Sequence, residues 1–200
     1  MPPILKILQT GEPVLRHQAR PLTKHELASP RIQLLIELMR DTMRDAPGVG
    51  LAAPQIGESI QLVVVEDPAR LQGNLTEEQL AARERTGVPF HVLVNPTLTI
   101  EGDEVVEAME GCLSFDGYTM VVPRARKVRV EALDERGEPI TITASGWYAR
   151  ILQHEIDHLH GMLCCDRMDS RTLMTVDNQA RIWHDKTVNE IRAGLERLDS

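Results

Sequence analysis

The chain has 200 residues, 42% of them apolar, and carries 22 Lys and Arg against 30 Asp and Glu, a formal net charge of -8. That length and apolar content suit one domain with a sizeable core. The acidic balance argues against a partner held mainly through its phosphates, so no direct DNA binding is expected. No apolar run approaches the ~20 residues that cross a bilayer, and the opening MPPILKILQTGEPVLR carries no signal-peptide pattern. A bacterial cytoplasm is the expected location, with an organelle as the alternative and no membrane partner. Cys112, Cys164 and Cys165 form an odd, clustered set, unsuited to a disulfide framework and consistent with a reducing compartment.

In chain order, residues 34–43 have helical periodicity, with Leu35, Leu38, Met39 and Met43 on one face. Ser29 caps, Pro30 suits the first helical position, and Pro47–Gly48 marks the stop. The nearly uncharged GVGLAAPQIG, residues 48–57, reads as a packed loop. A strand is expected over 61–65. A charged excursion then covers 66–89, with a short helix over 76–83. Strands follow over 91–94, 97–100, 105–108, 120–122, 127–133 and 139–144, with DERGEP, residues 134–139, as a hairpin turn. A helix over 147–159 stops at Gly161, and MLCC, residues 162–165, looks strand-like. A last helix is expected over 178–198, with Ile182, Trp183, Ile191, Leu195 and Leu198 as its apolar stripe. Strands dominate the middle without regular strand–helix alternation, which excludes a doubly wound fold.

The most informative segment is HEIDH, residues 154–158. Side chains four apart on a helix share a face, so His154 and His158 can offer two imidazoles to one metal, with Glu155 able to reach a water in the ion's open position. Asp157 lies off that face. A catalytic site needs a third protein ligand. Cys112, in EGCLS at residues 110–114, is the leading candidate. Cys164 and Cys165 compete with it, and Glu190 is available without supporting context. Gly48, Gly50 and Gly57 do not form a phosphate cradle, because no Gly-Lys-Ser/Thr follows them. Arg124, Arg126, Lys127 and Arg129 read as an ordinary solvated strand face.

Three separated segments, GVGLAAPQ at 48–55, EGCLS at 110–114 and QHEIDHLHG at 153–161, together resemble the peptide deformylases. The likeness runs from about Ile4 to Asp169 and is nearest the mitochondrial and actinobacterial-like branch. It implies Cys112, His154 and His158 as ligands of one divalent ion, natively Fe2+, with Zn2+, Ni2+ or Co2+ as substitutes. It also implies Glu155 as general acid/base, and Gln55 and the backbone N–H of Leu113 as donors to the developing oxyanion. Val49 and Gly50 would hold the substrate's formylated end, and Ile151 and Arg150 would border the methionine pocket. The implied reaction is removal of the N-formyl group from the formyl-methionine of newly synthesised polypeptides, releasing formate, with transient ribosome contact. The competing readings are a peptidase built on the same HExxH helix and a catalytically silent binding protein.

The chain departs from the family pattern at two places. Phe115-Asp116-Gly117 stands where many bacterial members have Val-Pro-Gly, and Arg150 stands at a commonly apolar position, either facing solvent or narrowing the pocket. Element order and resemblance together imply an α+β fold. Mixed or antiparallel sheets would pack around a central HExxH helix, with N-terminal and C-terminal helices. Residues 1–200 would form one catalytic domain with a surface insertion at about 66–89.

Overall fold

The computed structural model describes residues 3–73 and 75–196. A short helix α1 (Lys24–Leu27) precedes α2 (Pro30–Asp45). The Ser29 hydroxyl accepts from the Ile32 N–H, and Pro30 occupies the first turn, where its missing N–H leaves no bond unmade. The buried stripe is Ile32, Leu35, Ile36, Met39 and Met43, and Ala46 and Pro47 end the helix. β1 (Gly50–Ala52) and a 3-10 turn at Ala53–Ile56 follow. GVGLAAPQIG is therefore a strand and a turn, not a loop. Its strand half is too short and Gly-rich to announce itself by alternation, and its pairing with the next strand creates it.

β2 (Leu62–Asp67), α3 (Glu77–Ala82), β3 (Val88–Ile100), β4 (Val105–Gly111), β5 (Tyr118–Ala125), β6 (Lys127–Leu133) and β7 (Pro139–Ser145) continue the chain. One antiparallel sheet has the order β1-β2-β3-β6-β7. β3 joins the two strands expected at 91–94 and 97–100 through an irregularity between Val94 and Thr97. There Asn95 takes a positive φ of 51° and its amide exchanges two 2.8 Å hydrogen bonds with the Leu22 backbone. Asparagine tolerates this conformation better than most residues, and the local bond pattern holds the bulge.

α4 (Gly146–Leu159) follows. Period-two alternation sorts the sheet's side chains to opposite faces. Val63, Val65, Leu93, Val128 and Val130 pack with Ala149, Leu152 and Ile156 of α4, whereas Leu62, Val64, Val92 and Val94 pack with the stripe of α2. Both faces are thus covered, which is why β2 reads as an unbroken apolar run.

The second sheet has the order β4-β5-β8, where β8 is Met174–Thr175. Between α4 and β8 the MLCC segment is not a strand. It forms a 3-10 turn at Cys164–Asp166, because the Asp166 carboxylate accepts the Leu163 N–H at 2.8 Å and caps it.

The expected final helix is broken. α5 (Val176–Asn178) runs into a π turn at Gln179–Trp183, and α6 (Val188–Glu196) begins anew. Gly194 lets the two pieces meet: a Cβ there would lie 2.5 Å from the Trp183 ring, so α6 folds back closely onto that indole. Ile191 is buried while Ile182 and Leu195 are exposed, and Leu198 lies outside the described residues. Arg192 ties α6 to β4 through Glu107, at 2.6 and 2.7 Å. Between β2 and β3, Thr76 caps α3, and Arg85 pairs bidentately with buried Asp67 at 2.8 Å. No helix among the described residues is long and apolar enough to cross a membrane.

Candidate active site

α4 presents His154 and His158 one turn apart, their rings edge to face with centroids 5.0 Å apart. The antiparallel pairing of β4 and β5 delivers Cys112, just past β4, to the same place. The Cys112 sulfur lies 3.4 Å from His158 Nε2, and ligand atoms of Cys112, His154 and His158 all lie within 4.8 Å of one another. Cys164 is buried beside Cys112 but belongs to no such group, and Cys165 faces Arg16. Glu190 accepts from Thr187 at the start of α6, outside the cluster. Of the competing third ligands, only Cys112 converges with the two histidines.

His154 Nδ1 donates to Glu110 Oε2 at 3.0 Å, which leaves Nε2 for another partner. Glu110 is itself gripped by Arg124, through two 3.0 Å bonds, and by Arg150 at 2.6 Å. Arg124 also donates to Asp157, which Arg167 engages at 2.7 and 2.8 Å. Burial works against charge on Glu110, but the hydrogen bonds from His154 and Arg124 outweigh it and hold the carboxyl well below its usual range. Burial likewise opposes charge on His154, yet the Glu110 carboxylate raises it to about 9. His158 lacks such a partner, and burial pushes it well below the usual imidazole value; its Nδ1 has no hydrogen-bond partner among the described residues. The neighbouring Cys164 sulfur and burial raise the Cys112 thiol well above its normal range, so a cation is what would stabilise a thiolate there. One thiolate and two imidazoles, one of them already oriented by a carboxylate, fit a first-row transition ion.

Glu155 is buried against Gly50, where an added Cβ would lie 2.3 Å from Glu155 Oε1. Its Oε2 has no hydrogen-bond partner among the described residues, and burial raises the carboxyl to about 7. Gln55 is fixed by the Ala52 N–H, which donates to its Oε1 at 2.8 Å. Its Nε2 therefore points toward Ser114 Oγ, at 3.2 Å, and the Cys112 sulfur, at 3.7 Å. A cavity of about 610 Å³ opens over this group. Val49, Gly50, Gln55, Cys112, Leu113, Arg150, Ile151, His154 and Glu155 all border it, and His158 lies behind.

Of the two orientations open to Arg150, the structure shows the inward one: its side chain is 5% exposed, borders the cavity, and its guanidinium also donates to the backbone carbonyls of Val122 and Val106. One sequence expectation needs correction here. Arg124 is not part of a solvated face, because its side chain is 2% exposed and doubly ion-paired. Only Arg126, Lys127 and Arg129 behave as surface groups, paired with Glu84 and Glu104, Glu101, and Glu131 respectively. Glu110 as the partner of His154 was missed by sequence reasoning. The only local signal was an acidic residue two positions before Cys112 between expected strands, and it names no partner.

A cysteine and two histidines placed to share an ion at the base of an open cleft, with a carboxylic acid beside them, are the donor set of a metal-dependent hydrolase. The chain belongs to the polypeptide deformylase family, whose pattern it matches over residues 4–173. It is 43% identical over 191 residues to peptide deformylase 3 of Streptomyces avermitilis, covering 96% of this chain and 83% of that protein. It is 44% identical over 172 residues to the chloroplastic peptide deformylase 1A of Solanum lycopersicum, covering 86% of this chain. The chain spans 62% of that plant protein's length. Among solved structures, the Met-Ala-Ser-bound class I type b peptide deformylase of Acinetobacter baumannii superposes with a TM-score of 0.74 at 32% identity, covering 84% of this chain and all of that one.

Proposed function

We propose that this chain is a metal-dependent peptide deformylase that hydrolyses the N-formyl group of formyl-methionine at the start of new polypeptides, releasing formate. The observation that carries the reading is the meeting of Cys112, His154 and His158 beside a buried Glu155 whose carboxyl is raised to about 7. Cys112, His154 and His158 would hold one divalent ion, natively Fe2+, with Zn2+, Ni2+ or Co2+ as substitutes; the mixed thiolate–imidazole set suits all four. When bound, the ion supplies Lewis acidity at neutral pH. Glu155 takes a proton from the attacking water and passes it to the departing amine nitrogen, a task suited to a carboxyl titrating near neutrality. Gln55 Nε2 and the Leu113 N–H donate to the oxygen where negative charge develops.

Val49 and Gly50 pair the extended peptide backbone along β1, which ends its sheet. Ile151 and Arg150 border the recess for the methionine side chain. That the Acinetobacter relative binds Met-Ala-Ser, a tripeptide of the deformylated kind, supports this substrate class. In the same reading α4 is the central helix of the fold, and residues 1–200 form one catalytic domain with an insertion at about 66–89. The protein works in a bacterial cytoplasm, touches the ribosome transiently as chains emerge, and needs neither DNA nor membrane.

The test is anaerobic purification, metal quantification and formate release from formyl-Met-Ala-Ser, with unformylated Met-Ala-Ser as control. Expected are one metal per chain, formate only from the formylated peptide, nearly complete loss of turnover in Glu155→Ala with metal retained, and loss of metal in Cys112→Ala. Internal peptide cleavage without formate would assign a peptidase instead. No turnover of either peptide by metal-loaded protein would assign a silent binding protein.

A further inference from the structure

The substrate cavity is not the only hollow behind β4. A second cavity of about 460 Å³ lies between β4, the chain after α3 and the first turn of α6, with Ala82, Val188 and Ile191 among its walls. Met109, Trp147 and Arg150 border both cavities. One layer of side chains therefore separates the recess beside Ile151 from an adjoining space under the C-terminal helix.

Of these three, the Trp147 ring is flanked by the Arg83 and Arg85 guanidiniums, and Arg150 is the one held by an ion pair and hydrogen bonds. The Arg150 guanidinium is pinned by Glu110 Oε1 at 2.6 Å, the Val122 carbonyl at 2.8 Å and the Val106 carbonyl at 2.6 Å. Swinging it aside would leave a buried carboxylate and two carbonyls short of a donor and would strand a buried cation, each costly in a low-dielectric interior. Met109, only half-buried on β4, is by contrast unbranched and free to repack. We infer that Arg150, braced by Glu110 and the two carbonyls, is the dividing wall that fixes how long a substrate side chain the cavity accepts, with Met109 completing it.

This inference rests on the deformylase reading and adds to it a length limit at the N-terminal residue. An apolar side chain longer than methionine has to press against a fixed, charged end, so acceptance falls off sharply rather than gradually. Removing the wall joins the recess to the second cavity. The Glu110 charge stays compensated in such variants, because Arg124 and His154 still donate to it.

The experiment measures kcat/KM for formate release by metal-loaded protein on formyl-X-Ala-Ser, with X norleucine, 2-aminooctanoate or 2-aminodecanoate. It uses the parent, Arg150→Ala, Arg150→Lys and Met109→Ala, each checked for native near-UV circular dichroism. The readout is the ratio of long-chain to norleucine kcat/KM within each protein. Added methylenes in a fitted pocket are worth about tenfold or more. The ratio should therefore rise at least about tenfold in Arg150→Ala, less in Met109→Ala, and fall back toward the parent in Arg150→Lys. If Arg150→Ala does not fold, Met109→Ala decides alone. Unchanged ratios in every folded variant overturn the inference. Absence of formate from all peptides, including formyl-Met-Ala-Ser with the parent, overturns the deformylase reading instead.

Discussion

Arg124 and Arg126 stand two residues apart, and each binds two carboxylates, yet they do different work. Arg124 joins Glu110 to Asp157 with its side chain 2% exposed. Arg126 joins Glu84 to Glu104 with its side chain 42% exposed. An exposed pair gains little, because water screens the attraction and holding long side chains costs entropy. A buried pair offers no such indifference: its formation need not stabilise, but its rupture leaves charge stranded. The buried network also runs on to His154, whereas the surface one links only the segment after α3 and the β3–β4 connection to the β5–β6 connection. The contrast teaches that bond geometry alone does not rank ion pairs; burial, and what lies at the far end of the chain of contacts, does.

Four measurements break or sharpen that contrast. Arg124→Met should show the largest effect. It leaves Glu110 to Arg150 and His154, and Asp157 to Arg167, and so takes the shared cation out of a buried network; the loss should be about 3–5 kcal/mol in urea unfolding, and one no larger than that of a surface variant would erase the distinction. Glu110→Gln keeps the shape but weakens the acceptor facing His154, and should lower metal affinity or turnover about 10–100-fold, read by competition with a chelator. Glu107, paired with Arg192 at the surface, tests the exposed class by pH. Its hydrogen bond to Arg192, opposed by modest burial, holds the carboxyl below its usual range. The folded state therefore binds that proton less readily than the unfolded chain. Its stabilisation is fully present above the ordinary carboxylate value, 4.5, and is lost as pH falls through the lower folded value. Glu107→Gln, or ~1 M salt with its Debye length of about 3 Å, should flatten that slope. Arg126→Ala should change least, leaving the urea midpoint within reproducibility.

Much of the site is legible in the sequence because its parts have fixed spacing. His154 and His158 must share a helix face, and Cys112 comes to them through a motif whose glycine and flanking strands are visible. Glu110 is not legible as the partner of His154, because that pairing joins β4 to α4 across the fold and leaves no local period. Arg124 is misread for the same reason: its neighbours Arg126, Lys127 and Arg129 do face water, and only the proximity of Glu110 and Asp157 makes Arg124 an interior residue. In the fold, α2 with its Ser29 cap and the place of α3 follow from local signals. β1 and the break between α5 and α6 do not: one is created by pairing with β2, and the other turns α6 back until Gly194 meets Trp183, a contact with no local period.

The close approach of Glu155 to residue 50 carries a consequence for any survey of tolerated substitutions. Strand pairing anchors the backbone on one side and the helix carries the acid on the other, so even a single methyl group there would push the Glu155 side chain out of place from its Cγ outward. In a saturation library selected for growth dependent on this protein, codon 50 should return one amino acid, while codon 49, whose side chain leans on the core from the cavity's edge, admits several.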